Sequence, residues 1–238
     1  MANTIADKLT YLSGTKDAIK QAIIAKGVDV SDTDTFRSYA DKIEAIQSGG
    51  GGGIAGAPSG IKFGYSTFTT VPTELFPYLE AQTDLNYMFD NCRSLTTVPL
   101  FNTSNVTNMD FMFSNCNSLT SVPQFDTSNV TNMNSMFYYC SRLTTVPLFN
   151  TVNVTNMGSM FYNCKSLTNL GGFTGLKVNL GLQDSPKLTI ESIVNIINAA
   201  ADMTSEPKTL VLHQDVFNKL SQEQIATASA KGWNIASK

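Results

Sequence analysis

Apolar positions between residues 89 and 173 recur with a period of 24 residues. Three full copies read FDNCRSLTTVPLFNTSNVTNMDFM, FSNCNSLTSVPQFDTSNVTNMNSM and FYYCSRLTTVPLFNTVNVTNMGSM, and a fourth copy begins FYNCKSLTNLGGF. A fixed period in the twenties predicts a solenoid, in which each repeat makes one coil and buries its apolar side against its neighbours. The recurring apolar residues are Phe89, Phe113, Phe137 and Phe161; Cys92, Cys116, Cys140 and Cys164; Leu95, Leu119, Leu143 and Leu167; and Val106, Val130 and Val154.

Each copy contains one segment that favours an extended strand. The β-branched stretch from Leu95 to Val98 has strand character, and Pro99 ends it because proline has no N–H to donate. Stacked coils would place these strands side by side in one parallel sheet, with Leu95 and Val98 directed inward.

The rest of each copy, TSNVTNMxxMF, is rich in Asn, Ser and Thr. These side chains bond to nearby backbone groups and so support a tight coil without a long helix. Val106, Met109, Met112 and Phe113 are spaced so that one irregular or 3₁₀-like turn buries all four. The predicted fold class is therefore an α/β solenoid of 24-residue coils.

The regions that flank the regular copies predict closure of the solenoid at both ends. Residues 61–88 resemble a degenerate first coil, so the solenoid is assigned to 61–185, and the fourth copy departs from the pattern with Leu170-Gly171 in place of Val-Pro. Residues 186–238 predict an α/β cap, because terminal repeats must shield the core from water. Its predicted elements are a helix from Ile190 to Ala200 with Ile193, Ile196 and Ile197 on one face, a strand from Thr209 to Leu212, a helix capped by Ser221, and a strand near Asn234.

Residues 1–47 predict a separate helical module, and residues 48–60, which include Gly49 to Gly53, predict a flexible linker. Isolated helices of this length are marginal, so a helical hairpin or a small oligomeric bundle is expected to cover the apolar stripes. The candidate oligomer or anchor contacts are Ile5, Leu9, Leu12, Ile19, Ile23, Phe36, Tyr39 and Ile43.

Charge is sparse and nearly balanced, at −3 over 238 residues. No basic patch indicates a nucleic-acid partner, and no apolar run is long enough to predict insertion into a membrane. The surface of the repeats must therefore consist mainly of hydroxyl and amide groups, which suit a glycan or another protein. The amino-terminal residues lack the apolar core of a signal peptide, so synthesis and folding in the cytosol are expected.

Candidate catalytic chemistry is weak. The four cysteines share one position in the repeat and form no CxxC pair, which predicts a ladder of buried free thiols rather than disulfides or a zinc site. His213 has no nucleophile motif beside it and is predicted to be structural. No phosphate-binding loop follows a strand, so we expect neither an enzyme nor a cofactor.

A binding surface is the remaining functional expectation. Hydroxyl residues of the predicted strands would decorate the sheet, and aromatic side chains could stack on a sugar or anchor a protein contact. The alternative is that the threonines serve β-propensity and the aromatics serve packing. The candidate residues are Thr96, Thr97, Thr120, Ser121, Thr144, Thr145, Phe111, Tyr138, Tyr139 and Tyr162.

The motif NVTNMxxMFxxCxxLTxVP, present from Asn105 to Pro123 and from Asn129 to Pro147, resembles the BspA-like leucine-rich repeats of gut-bacterial, mycoplasma and phage surface proteins. The resemblance implies a leucine-rich-repeat fold and a role in adhesion. It does not name a ligand.

The segment from Lys8 to Ile43 resembles the amino-terminal module of tail-fibre and accessory virion proteins of phages that infect gut bacteria. That resemblance implies attachment to other virion proteins, with the repeats displayed to a bacterial surface glycan or protein. The expected function is that of a virion fibre or decoration component, made in the host cytoplasm and forming a homotrimer. The alternatives are a bacterial BspA-like adhesin at the cell surface and, for the module alone, a plain oligomerisation hairpin.

Overall fold

Regular secondary structure is sparse in the repeats and concentrated after residue 180. The computed structural model describes residues 62–71, 79–80 and 82–238. The predicted helical module, the linker and all eight candidate anchor residues lie outside these ranges. The described elements are β1 (Thr145–Val146), β2 (Phe149–Asn150), β3 (Asn169–Leu170), β4 (Phe173–Thr174), β5 (Leu180–Leu182), α1 (Ile190–Ala199), β6 (Lys208–Leu212), α2 (Gln214–Phe217), α3 (Gln222–Ala230) and β7 (Trp233–Ser237).

The strands pair in parallel, and the sequence period reappears in their register. β1 pairs with β3, so that Thr145 lies opposite Asn169, and β2 pairs with β4. Isolated parallel bridges join Asn108 to Asn132 and Asn132 to Asn156. Hydrogen-bonded neighbours in this region are thus equivalent residues of consecutive copies.

The extent of the sheet differs from the sequence prediction of one parallel sheet. The described residues form two two-stranded sheets, β1-β3 and β2-β4, and one three-stranded sheet, β5-β6-β7. The pairing of β1 with β3 ends at Val146 and Leu170, and pairing resumes at Phe149 and Phe173. A proline at the intervening position of a copy cannot donate an N–H to the copy before it. In the fourth copy Gly171 stands at the proline position, and its N–H donates to Val146 O at 2.9 Å.

The core of the repeats is a stack of phenylalanine rings. The centroids of Phe89 and Phe113 lie 5.5 Å apart, those of Phe113 and Phe137 5.9 Å, and those of Phe137 and Phe161 5.7 Å. All four rings are fully buried. Ring pairs at these distances add to the stabilisation that comes from burial itself.

The predicted apolar turn is confirmed for the first copy. Val106, Met109, Met112 and Phe113 are all buried, and Met112 N donates to Met109 O at 3.2 Å. Leu95 and Val98 are buried as well, in agreement with the predicted inward direction.

The cysteines form the predicted ladder of buried, free thiols. Each Sγ donates to a carbonyl of an earlier segment, as Cys116 does to Phe89 O at 3.1 Å and Cys140 to Phe113 O at 3.0 Å. Burial raises the pKa of Cys92 to about 11 and raises the pKa of Cys140 well above its ordinary value. The thiols therefore act as small, uncharged packing groups with one hydrogen bond each.

Four of the five elements after residue 185, α1, β6, α3 and β7, agree with the sequence predictions, whereas the short helix α2 was not predicted. α1 begins after Thr189, whose side chain accepts the N–H of Ser192, and it buries Ile193, Ile196 and Ile197. α3 begins with a capping box between Ser221 and Gln224. α1 packs against β3 and β4, and so covers the last copy of the repeat.

Candidate binding surface

The turn of each copy contains a residue in the left-handed region of backbone conformation. Tyr87, Phe111, Ser135 and Ser159 have φ between 51° and 53°, values that non-glycine residues rarely adopt. Phe111 N donates to Asn134 O of the next copy at 3.0 Å, and Ser135 N donates to Gly158 O at 2.8 Å. The N–H groups of Tyr87, Phe111 and Ser135 thus donate to carbonyls of the following copy, and the conformation recurs at one position of the repeat.

Five aromatic side chains from these turns form a continuous surface, here called the aromatic row: Tyr87, Phe111, Tyr138, Tyr139 and Tyr162. Tyr87 and Phe111 stack at 4.7 Å with an interplanar angle of 5°. Phe111 lies 6.4 Å from Tyr138, and Tyr138 stacks on Tyr162 at 5.1 Å and 13°. Tyr139 lies 4.7 Å from Tyr138 and 5.5 Å from Tyr162.

The aromatic row is open to solvent along its length. Tyr87 is 43% exposed, Tyr139 38% and Tyr162 41%, while Phe111 and Tyr138 are half-buried between them. Isolated exposed apolar residues are ordinary, but a contiguous aromatic patch indicates an interaction surface.

The phenol groups at the two ends of the row remain protonated at neutral pH. Burial, followed by the nearby carboxylates of Asp110 and Asp90, raises the pKa of Tyr87. The neighbouring Tyr139 and Tyr138, followed by Asp184, raise the pKa of Tyr162. Each hydroxyl is therefore able both to donate and to accept a hydrogen bond.

Hydrogen bonds between copies are formed by three of the predicted hydroxyl residues, Thr96, Thr120 and Thr144. Thr96 Oγ1 donates to Thr69 O at 2.8 Å, and Thr144 Oγ1 donates to Thr120 O at 3.0 Å. Thr120 Oγ1 donates to Thr96 O at 3.4 Å. Their hydroxyl hydrogens tie one copy to the copy before it and are not directed to a ligand.

The other three predicted hydroxyl residues, Thr97, Ser121 and Thr145, occupy the adjacent position. Ser121 bridges Thr145, and Thr97 bridges Thr70, through the backbone. Within the described residues, no side-chain hydrogen bond connects any of them to the aromatic row. The structure thus brings Phe111, Tyr138, Tyr139 and Tyr162 together and leaves the hydroxyl candidates separate.

Tyr87 is the one member of the aromatic row that the sequence did not single out. It lies in the degenerate first coil, where the repeat is hard to align, but it stands one period before Phe111. The residue at the same position of the second copy is Ser135, which is buried, and the aromatic row continues through Tyr138 of the third copy.

The described residues contain no cluster of metal ligands and no membrane-spanning helix, and His213 caps a helix. No group of three or more His, Cys, Asp or Glu side chains in 62–71, 79–80 and 82–238 is arranged to hold a metal ion. Nor does any helix in those ranges have the length and apolar character needed to cross a membrane. His213 caps α2, because its Nδ1 accepts the N–H of Asp215 at 3.2 Å.

Comparison with known proteins supports the repeat assignment and leaves the ligand open. Residues 83–178 match the model of a family described as "Mycoplasma protein of unknown function, DUF285". That match fits a BspA-like repeat protein. No curated protein matches the chain, and no solved structure matches it either.

Proposed function

We propose that the chain is a non-enzymatic adhesion protein whose aromatic row binds an oligosaccharide at a bacterial or mucosal surface. The observation that carries this proposal is the row itself: five rings from four consecutive turns in contact at 4.7 to 6.4 Å, with three tyrosines substantially exposed. Tyrosine combines an apolar ring with a polar tip, so a row of tyrosines suits the apolar faces and the hydroxyl groups of sugar rings.

The proposed architecture is a solenoid of 24-residue coils that presents the aromatic row along one edge. Parallel pairing at an offset of 24 residues supports it, as does the cysteine-to-carbonyl ladder. Such a surface is extended, and it offers several successive subsites to a chain-like ligand.

In the fuller form of the proposal, the chain is a phage fibre or decoration component that displays the repeats from the virion. The resemblance of Lys8 to Ile43 to accessory virion modules supports this context, with other virion proteins as partners and a homotrimer as the assembly. A bacterial BspA-like adhesin at the cell surface is the second candidate, and the family match to residues 83–178 is compatible with both.

Binding to immobilised oligosaccharides tests the adhesion function. The full chain, Tyr139→Ala and Tyr65→Ala are compared on one array of saccharides. Tyr65 is a matched control because it is exposed and has a φ of 65°, close to the 59° of Tyr139, but forms none of the described ring contacts of the row. We expect Tyr139→Ala to lose binding and Tyr65→Ala to retain it; equal binding by both variants would refute a role for the row.

Immunogold labelling of purified phage particles tests the virion context separately. Labelled particles support the fibre or decoration role, whereas label found only on cells that carry no prophage favours the bacterial adhesin. Light scattering of the full chain at micromolar concentration tests the trimer, and a monomeric mass would contradict it.

A further inference from the structure

A cavity of about 610 Å³ lies at one end of the aromatic row. Tyr162, the last ring of the row, forms part of its wall, so the two features share a side chain. The residues of the wall that matter here are Tyr162, Lys165, Asp184, Lys187, His213 and Lys238.

The wall of this cavity carries an excess of positive charge. It has the ammonium groups of Lys165, Lys187 and Lys238 against two carboxylates, the α-carboxylate of Lys238 and the side chain of Asp184, whose Oδ2 already accepts the N–H of Asn163 at 3.2 Å. Lys165 and Lys187 are both exposed, and in the described part of the chain neither forms a salt bridge. Two ammonium groups are therefore available to an incoming anion.

A further cation stands beside the cavity. Arg142 occupies in the third copy the position that Ser166, a wall residue, has in the fourth. Because the register places Thr145 opposite Asn169, these two positions are neighbours across the strand spacing of about 4.8 Å.

His213 adds a ring nitrogen to the wall, and the Asp215 carboxylate lies 3.6 Å from its Nδ1. Its Nδ1 accepts the backbone N–H of Asp215, so the hydrogen of the neutral ring is on Nε2. Together with the hydroxyl of Tyr162, this gives the cavity two further hydrogen-bond donors beside the ammonium groups.

The opposite end of the aromatic row carries two carboxylates and the ammonium group of Lys62, which donates to Asn86 Oδ1 at 2.6 Å. The carboxylates of Asp90 and Asp110 lie near Tyr87 and contribute to its raised pKa. At the other end the ammonium groups of Lys165 and Lys187 lie on the cavity wall together with the Asp184 carboxylate, which contributes to the raised pKa of Tyr162.

We propose that this cavity is the subsite for an acidic group, a uronate carboxylate or a sulfate ester, of the oligosaccharide that the aromatic row binds. The proposal rests on the proposed function and specifies its ligand as an anionic glycan. The lysines attract the acidic group, and Tyr162 contacts the sugar ring that carries it.

The test uses pairs of immobilised oligosaccharides that differ only in the acidic group. Oligogalacturonate is paired with its methyl ester, and carboxyl-reduced chondroitin sulfate oligosaccharide, whose only acidic group is the sulfate, with its desulfated form. The full chain is compared with the double variant Lys165→Gln, Lys187→Gln and with the control Lys177→Gln, Lys219→Gln, which makes the same change of charge outside the cavity wall. Replacement of two exposed cations should weaken binding to the acidic member about 2- to 30-fold and leave binding to the neutral member unchanged.

Each outcome either supports or overturns the subsite, and one of them also overturns glycan binding by the aromatic row. Preference for the uronate or for the sulfate, lost in the Lys165 and Lys187 variant and kept in the control, supports the subsite and identifies the source of the charge. Binding of neutral and acidic members with equal affinity overturns the subsite but preserves glycan binding by the row. A preference that survives in the Lys165 and Lys187 variant also overturns the subsite, and failure to bind any saccharide on the array overturns both proposals.

Discussion

The rings of Tyr138 and Tyr162 lie 5.1 Å apart and within 13° of parallel, although they belong to different copies of the repeat. Their spacing follows from the backbone, since the N–H of Tyr139 donates to Tyr162 O at 2.8 Å. The stack is therefore set by the hydrogen bonds between copies and not by a ligand. A surface fixed in this way loses little conformational entropy when it binds.

The hydrogen bonds that Thr96, Thr120 and Thr144 donate between copies, here called the threonine ladder, predict a difference between Thr144, which precedes β1, and Thr145, the first residue of β1. Thr144→Val removes the hydroxyl that donates to Thr120 O at 3.0 Å, whereas Thr145→Val removes a hydroxyl with no described partner. We expect Thr144→Val to lower the free energy of unfolding by about 1 kcal/mol and Thr145→Val to change it by less than about 0.5 kcal/mol. Urea denaturation of both variants measures the difference, and equal losses would argue against a stabilising role for the ladder.

The buried thiols predict a loss of stability in alkaline solution. Burial raises the pKa of Cys92 from 9.0 to about 11, so between these values the unfolded chain releases a proton that the folded chain retains. Stability is therefore fully present below about pH 9 and falls as pH rises, by a slope that approaches about 1.4 kcal/mol per pH unit for each thiol. Urea denaturation under reducing conditions at several pH values between 8 and 10 measures the slope.

Cys116→Ala is the control for this pH dependence. The variant should be less stable at every pH, because it loses a buried side chain and the hydrogen bond to Phe89 O. Its stability should nevertheless fall less steeply above pH 9, since one titrating thiol is gone. An unchanged slope would mean that the cysteines do not cause the alkaline loss.

Gly171 predicts a steric effect where the fourth copy departs from the repeat. A Cβ at Gly171 would overlap Leu148 N and lie 2.7 Å from the carbonyl carbon of Pro147, and both atoms belong to backbone. Gly171→Ala should destabilise the fold by about 1 to 3 kcal/mol or more. At Gly158 the nearest atom is 3.0 Å away and belongs to the Asn134 side chain, so Gly158→Ala should cost less than about 1 kcal/mol. Thermal unfolding of the two variants compares them, and tolerance of Gly171→Ala would show that the backbones separate readily.

The features that the sequence predicted correctly depend either on contacts between neighbouring residues or on the 24-residue period. The capping box between Ser221 and Gln224 lies within one turn, so neighbouring residues in the sequence were enough to predict where α3 begins. The cysteines recur at one position, and that position is buried in every copy. Such features depend on short-range contacts or on strict repetition, both of which are visible in a single sequence.

The features that the sequence did not predict depend on contacts between non-equivalent positions. The aromatic row passes from Phe111 to Tyr138, which are not one period apart, so no alignment of the copies connects them. Lys165 and Lys187 meet at the cavity only because the chain returns across the last copy. The sequence predicted one continuous parallel sheet, whereas the described strands form separate small sheets. The effect of each proline on strand pairing depends on the register of the neighbouring copy.

Binding of an oligosaccharide to the aromatic row is tested most directly by the dissociation constant of the full chain for the saccharide that it binds best on the array. Isothermal titration calorimetry compares the unaltered chain with Tyr138→Ala and Tyr65→Ala, after thermal unfolding has established that both variants are folded. Tyr138 contacts Phe111, Tyr139 and Tyr162, so its loss interrupts the row at its centre. The predicted result is at least about tenfold weaker binding by Tyr138→Ala and unchanged binding by Tyr65→Ala. Equal affinity of Tyr138→Ala and the unaltered chain would contradict a role of the row in adhesion.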